Sequence, residues 1–151
     1  MCLSSGFVKF LAFKPDNPNI LVSCSWDMTI KMWDITSGSI LSTLKVDAGD
    51  FGVRCITFNG SGDSIVAGCG NGNIFFIDTA TSQVREPPLK VEGAVPSLDV
   101  SPCGTKIAAA SNYYRNQKFE IKHFNLNPVS GDWEIGSEPP LTCDRYDAIV
   151  L

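Results

Sequence analysis

The sequence has one histidine, His123, among 151 residues, and its six cysteines never occur in C-x-x-C spacing. A zinc site needs four ligands, which one histidine and scattered cysteines do not supply. His123 has no nucleophile motif near it, and the glycine-rich segment 68–73 lacks the Lys-Ser/Thr and the helix of a phosphate loop. We therefore expect no catalytic residues, no metal and no cofactor.

A long apolar run is also missing, since no stretch approaches the roughly 20 residues that cross a bilayer. Residues 1–13 are apolar, but they have no basic beginning, Lys9 interrupts them, and no small-residue cleavage site follows. We therefore expect no signal peptide and no membrane insertion. The cysteines are then expected to be free thiols in the cytoplasm, or alternatively in the nucleus.

Positive charge is scarce, because 12 Lys and Arg stand against 16 Asp and Glu and give a net charge of −4. A mildly acidic protein is poorly suited to coat nucleic acid, although a local basic patch remains open. Hydrophobic residues make up 44% of the chain, which indicates a packed globular fold. These residues nowhere sustain the spacing of a helix, so strands are favoured.

Short β-rich runs, separated by turns of Gly, Asn, Asp and Pro, recur with a period of about 40–45 residues. Each unit has four runs, of which the fourth is the least regular. The runs lie at 8–15, 20–24, 30–34 and 40–44, then at 53–60, 64–68, 74–78 and 83–85, then at 95–102, 106–110, 120–124 and 132–135.

Four hairpin-connected strands per unit predict an all-β fold of β-propeller blades, each a four-stranded antiparallel sheet. The first two runs of each unit are apolar at nearly consecutive positions, which predicts burial between neighbouring sheets. We place the units at about 4–45, 49–90 and 91–141, with the start of a fourth at 142–151.

Propellers close with about four to eight blades, so three units and a fragment predict a partial, open propeller. We expect this chain to be part of a larger propeller or a truncated gene product. Alone, it is expected to expose apolar blade faces and open strand edges, and to need the remaining blades or another chain for closure.

The first unit carries the most specific motif, a Ser, an Asp in a turn, and then Thr-Ile-Lys-x-Trp-Asp. With these residues the segment resembles a WD40 repeat. The matching positions are Ser23, Asp27, Thr29, Ile30, Lys31, Trp33 and Asp34. The period and the turns extend the resemblance over nearly the whole chain, with a weaker match in the second unit and the weakest in the third.

The resemblance implies a structural network of His, Ser or Thr, Asp and Trp in each complete blade. Ser23, Asp27 and Trp33 match three of the four members, and Thr29 belongs to the same motif, but Ser4 stands where the His is expected. The later units are less complete still, with Asn71 and Ile77 in the second and Phe124 in the third. Blade rigidity is therefore expected to come mainly from apolar packing.

The resemblance also implies a protein-binding surface at the start of each first strand and just before the turn Asp. These positions are held by Phe7, Lys9, Trp26 and Arg54. Trp is frequent at binding hot spots because it buries a large rigid area. The alternative is that Trp26 covers a seam between blades.

The resulting hypothesis is a non-catalytic scaffold that mediates protein–protein interactions within a larger complex. A propeller adaptor for ubiquitin ligase or signalling complexes is one alternative. Another is an RNA- or translation-associated propeller subunit similar to translation initiation factor 3 subunit i. That version would use the aromatic and basic loop 113–119, which is otherwise a solvated loop packed on its own blade.

Overall fold

The computed structural model describes residues 6–113, 118–137, 139 and 141–143. Every regular element in these residues is a β-strand, and the strands form three antiparallel sheets. This arrangement confirms the prediction of an all-β fold built from successive antiparallel sheets, of which the first two are four-stranded. Across the described ranges, no helix has both the length and the apolar character needed to cross a membrane.

The first two sheets each contain four strands in chain order, so strands that follow one another in sequence lie side by side. The first sheet consists of β1 (Val8–Lys14), β2 (Asn17–Ser25), β3 (Thr29–Asp34) and β4 (Ser39–Lys45). The second consists of β5 (Val53–Phe58), β6 (Ser64–Cys69), β7 (Asn73–Asp78) and β8 (Val84–Lys90).

Aspartates end the third strand of these two sheets. Asp34 Oδ1 accepts the N–H of Thr36 at 2.8 Å, and Asp78 Oδ1 accepts that of Thr81 at 2.7 Å. These backbone hydrogen bonds lower the pKa of both carboxyl groups. A short side chain that accepts hydrogen bonds from the backbone N–H groups of the residues after it starts a turn. β3 and β7 therefore stop at their aspartates.

The third sheet differs from the others at its outer edge. It consists of β9 (Ala94–Val100), β10 (Lys106–Tyr113), β11 (Lys118–Leu126), β12 (Trp133–Ile135) and β13 (Leu141–Cys143). Two short strands, β12 and β13, share the outer position, and each pairs with a different half of β11. Of the expected start of a fourth unit, residues 144–151 lie outside the described residues.

The pairing register makes the sheets comparable residue by residue, because corresponding second and third strands pair in the same way. The pairs are Leu21 with Trp33, Ile65 with Ile77, and Ile107 with Phe124. We call the side of each sheet that carries these residues its front face, and the other side its back face. The front faces carry Leu11, Phe13, Leu21 and Trp33 in the first sheet, Ile56, Phe58, Ile65 and Ile77 in the second, and Leu98, Val100, Ile107 and Phe124 in the third.

The sheets stack front to back and bury two apolar layers. One layer lies between the back of the first sheet and the front of the second, and it includes Val22, Cys24, Ile30, Ile56, Phe58 and Ile65. The other lies between the second and third sheets, and it includes Cys55, Val66, Ile74, Val100, Ile107 and Phe124. Non-directional burial of this kind is the main favourable term in folding.

The front face of the first sheet is exposed to solvent along β1. Leu11 is 54% and Phe13 60% exposed, whereas the equivalent residues of the second sheet, Ile56 and Phe58, are 1% and 7% exposed. The predicted burial on both sides therefore holds for the second sheet but not for β1. The reason is that no described strand lies in front of β1.

Candidate protein-binding surface

Irregular pairing at the start of the first strands places two basic residues outside the regular ladder. Val8 pairs with Ser25 and Phe10 with Cys24, so Lys9 is an extra residue in β1. Arg54 is the extra residue at the equivalent point of β5, between the paired Val53 and Cys55. A β-bulge redirects the side chain at its position. Both cations therefore lie at the same end of the stack, where their strands begin.

The turn between β2 and β3 lies at this end and is stabilised by Asp27. Asp27 Oδ1 accepts the backbone N–H of Thr29 at 3.0 Å and the Thr29 hydroxyl at 2.6 Å. Met28, between them, has a φ of 68°. The backbone N–H of Trp26 donates to the Phe7 carbonyl at 3.1 Å, which fixes the Trp next to the segment that enters β1.

Aromatic and basic side chains meet around Trp26. The Phe7 ring approaches the Trp26 ring edge-on, with centroids 5.6 Å apart and planes at 87°. Lys9 Nζ lies 4.6 Å from the centroid of the Trp26 ring, a cation–π contact. Phe7 is 72% and Trp26 38% exposed. The structure thus brings together three of the four residues expected to bind protein, with the Phe7 ring mostly and the Trp26 ring partly exposed to water.

A further aromatic residue, Phe51, belongs to the same surface. Phe51 is 49% exposed and precedes Gly52, whose backbone lies directly against the backbone of Trp26. The Gly52 carbonyl accepts the N–H of Gly70 at 2.9 Å, so the connection between β4 and β5 is held between two turns. We call Phe7, Lys9, Trp26, Phe51 and Arg54 the turn face.

Arg54 is half-buried, and its Nε atom is buried without a hydrogen-bond acceptor in the described part of the chain. A buried donor that lacks a partner costs free energy, so such a group in a folded protein needs an explanation. Arg54 therefore differs from the ordinary solvated arginine of a strand end.

The structural network expected in the first sheet consists of Ser23, Asp27, Thr29 and Trp33. Hydrogen bonds join these residues in two pairs. Trp33 Nε1 donates to Ser23 Oγ at 2.9 Å, on the front face. Asp27 and Thr29 bond each other in the turn. In the second sheet the positions of Ser23 and Trp33 are taken by the apolar pair Ala67 and Ile77, both buried. Ser4, at the place expected for the His, lies outside the described residues.

Ser23→Ala is expected to lower the free energy of unfolding by about 1 kcal/mol, because the Trp33 indole loses its acceptor. In a Trp33→Phe background, which has no indole N–H, the same substitution is expected to cost close to nothing. Urea denaturation of the four variants of this double-mutant cycle measures the difference. Equal costs in the two backgrounds would show that the hydrogen bond does not contribute.

The four cysteines whose surroundings the structure describes fall into two chemical classes. Burial raises the pKa of Cys24, Cys55 and Cys69 to about 12, so these thiols are unreactive parts of the core. Cys103 is exposed in the β9–β10 turn, where hydrogen bonds with the hydroxyls of Ser101 and Thr105 lower its pKa to about 7. That turn lies at the end of the stack opposite the turn face.

The other residues considered for chemistry lie away from this surface. His123 is half-buried on β11, with its ring against Gly136. In the part of the chain that the structure describes, no three His, Cys, Asp or Glu residues are grouped to hold a metal ion. Of the aromatic and basic loop 113–119, residues 114–117 lie outside the described residues.

Comparison with known proteins identifies the repeats. The family model described as WD domain, G-beta repeat matches residues 2–34 and 38–78. The first range contains β1 to β3, and the second contains β4 to β7. Autophagy-related protein 16 of Arabidopsis thaliana is 26% identical over 107 residues, which is 71% of this chain and 21% of that protein. The chain thus spans about a fifth of the length of this relative.

Proposed function

The chain belongs to the WD40-repeat family, whose domains mediate protein interactions, and from this premise we propose that it is a non-catalytic scaffold that binds a partner protein at the turn face. One observation carries the proposal. Phe7 and Trp26 pack edge-to-face at the surface, with Lys9 over the Trp26 ring, and both aromatic side chains are partly exposed. Binding hot spots are rich in aromatic residues that are rigid before the partner arrives, since their ordering costs little entropy on association.

The rigidity of the turn face supports the same proposal. Trp26 is held by its backbone hydrogen bond to Phe7 and by the Gly52 backbone against its own. Phe51 is carried by the same connection. A partner would therefore meet aromatic side chains on fixed turns and strand ends, which is how a scaffold presents a specific surface.

The exposed front face of the first sheet requires a second interaction. Its residues Leu11 and Phe13 are equivalent to Ile56 and Phe58, which are buried against the back of the preceding sheet. We therefore propose that another antiparallel sheet, from the remaining blades of a larger propeller or from another chain, covers this face and acts in propeller closure. An apolar face of this size is otherwise an aggregation hazard.

Two observations extend the proposal to the cellular compartment and to the pathway. The three buried free cysteines favour a reducing compartment, the cytoplasm or the nucleus, which fluorescence microscopy of the tagged protein tests. The 26% identity to autophagy-related protein 16 supports a search for the partner that begins with autophagy proteins. Ubiquitin-ligase, signalling and translation complexes follow in that search.

Trp26→Ala is expected to weaken partner binding at least about 30-fold, because the central aromatic anchor of the turn face is lost. Arg54→Glu is expected to weaken it as well. Quantitative affinity purification with the tagged chain measures both effects, and thermal unfolding checks that the fold survives. Ile35→Ala is the matched control, since Ile35 is also exposed but lies in the β3–β4 turn. A partner that is retained by both turn-face variants would place the binding surface elsewhere.

A further inference from the structure

We propose that the turn face recognises a peptide segment in which an acidic side chain adjoins an apolar one, with the carboxylate bound by Arg54 and Lys9. This inference rests on the proposed function, since it names the chemistry of the partner at that same surface. Three features of the turn face carry it: two bulged cations, an orphaned guanidinium donor, and an adjoining aromatic platform.

The two cations lie on adjacent strands at equivalent positions. Lys9 is the bulged residue of β1 and Arg54 that of β5, and these two strands pack beside each other. Among the described residues, neither cation forms an ion pair. The ion pairs that the described chain does form lie on other parts of the molecule, for example between Lys14 and Asp16.

Arg54 is the more selective of the two cations. Its Nε has no acceptor among the described residues, although the atom is buried. Guanidinium binds a carboxylate through two parallel hydrogen bonds, which often include Nε, and such charge-assisted bonds are about twice as strong as neutral ones. Because Nε itself is buried, a carboxylate that arrives from solvent would first meet the other guanidinium nitrogens, and Arg54 forms no ion pair among the described residues.

The aromatic side chains of the turn face determine which kind of residue fits next to the acidic residue of the peptide. Lys9 Nζ lies over the Trp26 ring, and Phe7 packs against the edge of that ring. A carboxylate that reaches Lys9 from solvent therefore brings its neighbouring groups against Trp26 and Phe7. An apolar or aromatic residue next to the acidic one in the peptide fits this platform.

The local charge favours a single carboxylate over a polyanion. Asp47 and Asp50 are exposed on the same connection as Phe51, and the whole chain carries a net charge of −4. A nucleic acid strand places one phosphate on each nucleotide, so its further charges would be repelled by these aspartates. A peptide with one acidic residue gains the Arg54 contact without that repulsion.

Selection from a random dodecapeptide phage library on the 151-residue chain tests the proposal. Clones that bind the wild type but not Trp26→Ala are expected to share an Asp or Glu beside an apolar residue. For synthetic versions of these peptides, Glu→Gln is expected to weaken binding about tenfold in fluorescence polarisation. With the Arg54→Gln chain, the Glu and Gln peptides are expected to bind with affinities within about twofold of each other.

The outcomes separate this inference from the proposed function. Trp26-dependent clones whose Gln versions bind as well as their Glu versions would overturn the carboxylate while keeping the turn face as the binding surface. If the Arg54→Gln chain still binds the Glu peptides more tightly than the Gln peptides, the role of Arg54 in binding the carboxylate would be overturned. If no clone depends on Trp26, the binding surface itself fails. Salt-sensitive binding of oligo(U) that competes with the peptides would replace the acidic peptide by RNA. The Glu and Gln peptides are first compared on the unchanged wild-type chain, where a folding defect cannot produce a difference between them. Thermal unfolding of the Trp26→Ala and Arg54→Gln chains checks that both variants are folded.

Discussion

Replacing Phe58 with Ala is expected to lower the free energy of unfolding by about 3–5 kcal/mol, whereas Phe13→Ala is expected to change it by less than about 1 kcal/mol. The two phenylalanines occupy equivalent positions of β5 and β1. Phe58 is 7% exposed because its sheet packs on the first sheet, and Phe13 is 60% exposed because no described sheet covers it. The same substitution thus reports mainly on burial, since residue type and position in the sheet are matched, and β1 differs locally only by an irregular pairing after Phe13.

Urea titration of both variants, monitored by circular dichroism, gives the two free energies. Similar losses for Phe13→Ala and Phe58→Ala would contradict the open front face, because they would require Phe13 to be buried. When another sheet covers the front face, the cost of Phe13→Ala is expected to rise toward that of Phe58→Ala. That increase would be a direct sign that the covering sheet has been found.

Gly52→Ala is expected to cost about 3 kcal/mol or more and to weaken any ligand of the turn face. Gly52 has a φ of +60°, which an L-residue adopts at a cost, and a Cβ at this position would overlap the Trp26 backbone. Since the overlap involves backbone atoms, it cannot be relieved by rotation of a side chain. The Trp26 turn and the connection that carries Phe51 would have to move apart.

Gly38→Ala is the matched control for this prediction. Gly38 has a φ of +70°, but nothing lies within 4 Å of the position where its Cβ would be. Its substitution is expected to cost only the conformational penalty of about 1 kcal/mol. Chemical denaturation of the two variants separates the overlap from the conformational term. Equal losses would mean that Gly52 is not packed against Trp26.

Much of the fold could be predicted from the sequence because the strands are marked twice, by apolar runs and by turn residues. The Asp27 and Asp78 regions illustrate this, since an aspartate next to turn residues can be recognised from the sequence alone. The outer edge of the third sheet was harder to predict from the sequence. The sequence predicts a fourth run at 132–135, but the structure divides that edge between β12 and β13. Which half of β11 each pairs with depends on contacts that are distant in sequence.

The residues of the turn face were predicted only in part, for a physical reason. Phe7, Lys9, Trp26 and Arg54 were expected there because the resemblance to the WD40 family implies a binding surface at strand starts and before the turn Asp. Phe51 was not, because its exposure depends on the packing of Gly52 against a turn in another sheet. An aromatic residue beside Gly52 in a short connection was the available signal. The orphaned Nε of Arg54 was equally hidden, since a β-bulge is a property of strand pairing and not of the residue alone.

Hydrogen exchange measured by mass spectrometry tests the central claim most directly, that three sheets are stacked with the first one open at its front. β5 and β1 are the equivalent first edge strands of their sheets, but only the sheet of β5 lies between two other sheets. The amides of Val53–Phe58 are therefore expected to exchange on the order of 100-fold more slowly than those of Val8–Lys14. Equal protection of the two strands, or slower exchange in β1, would contradict the stack.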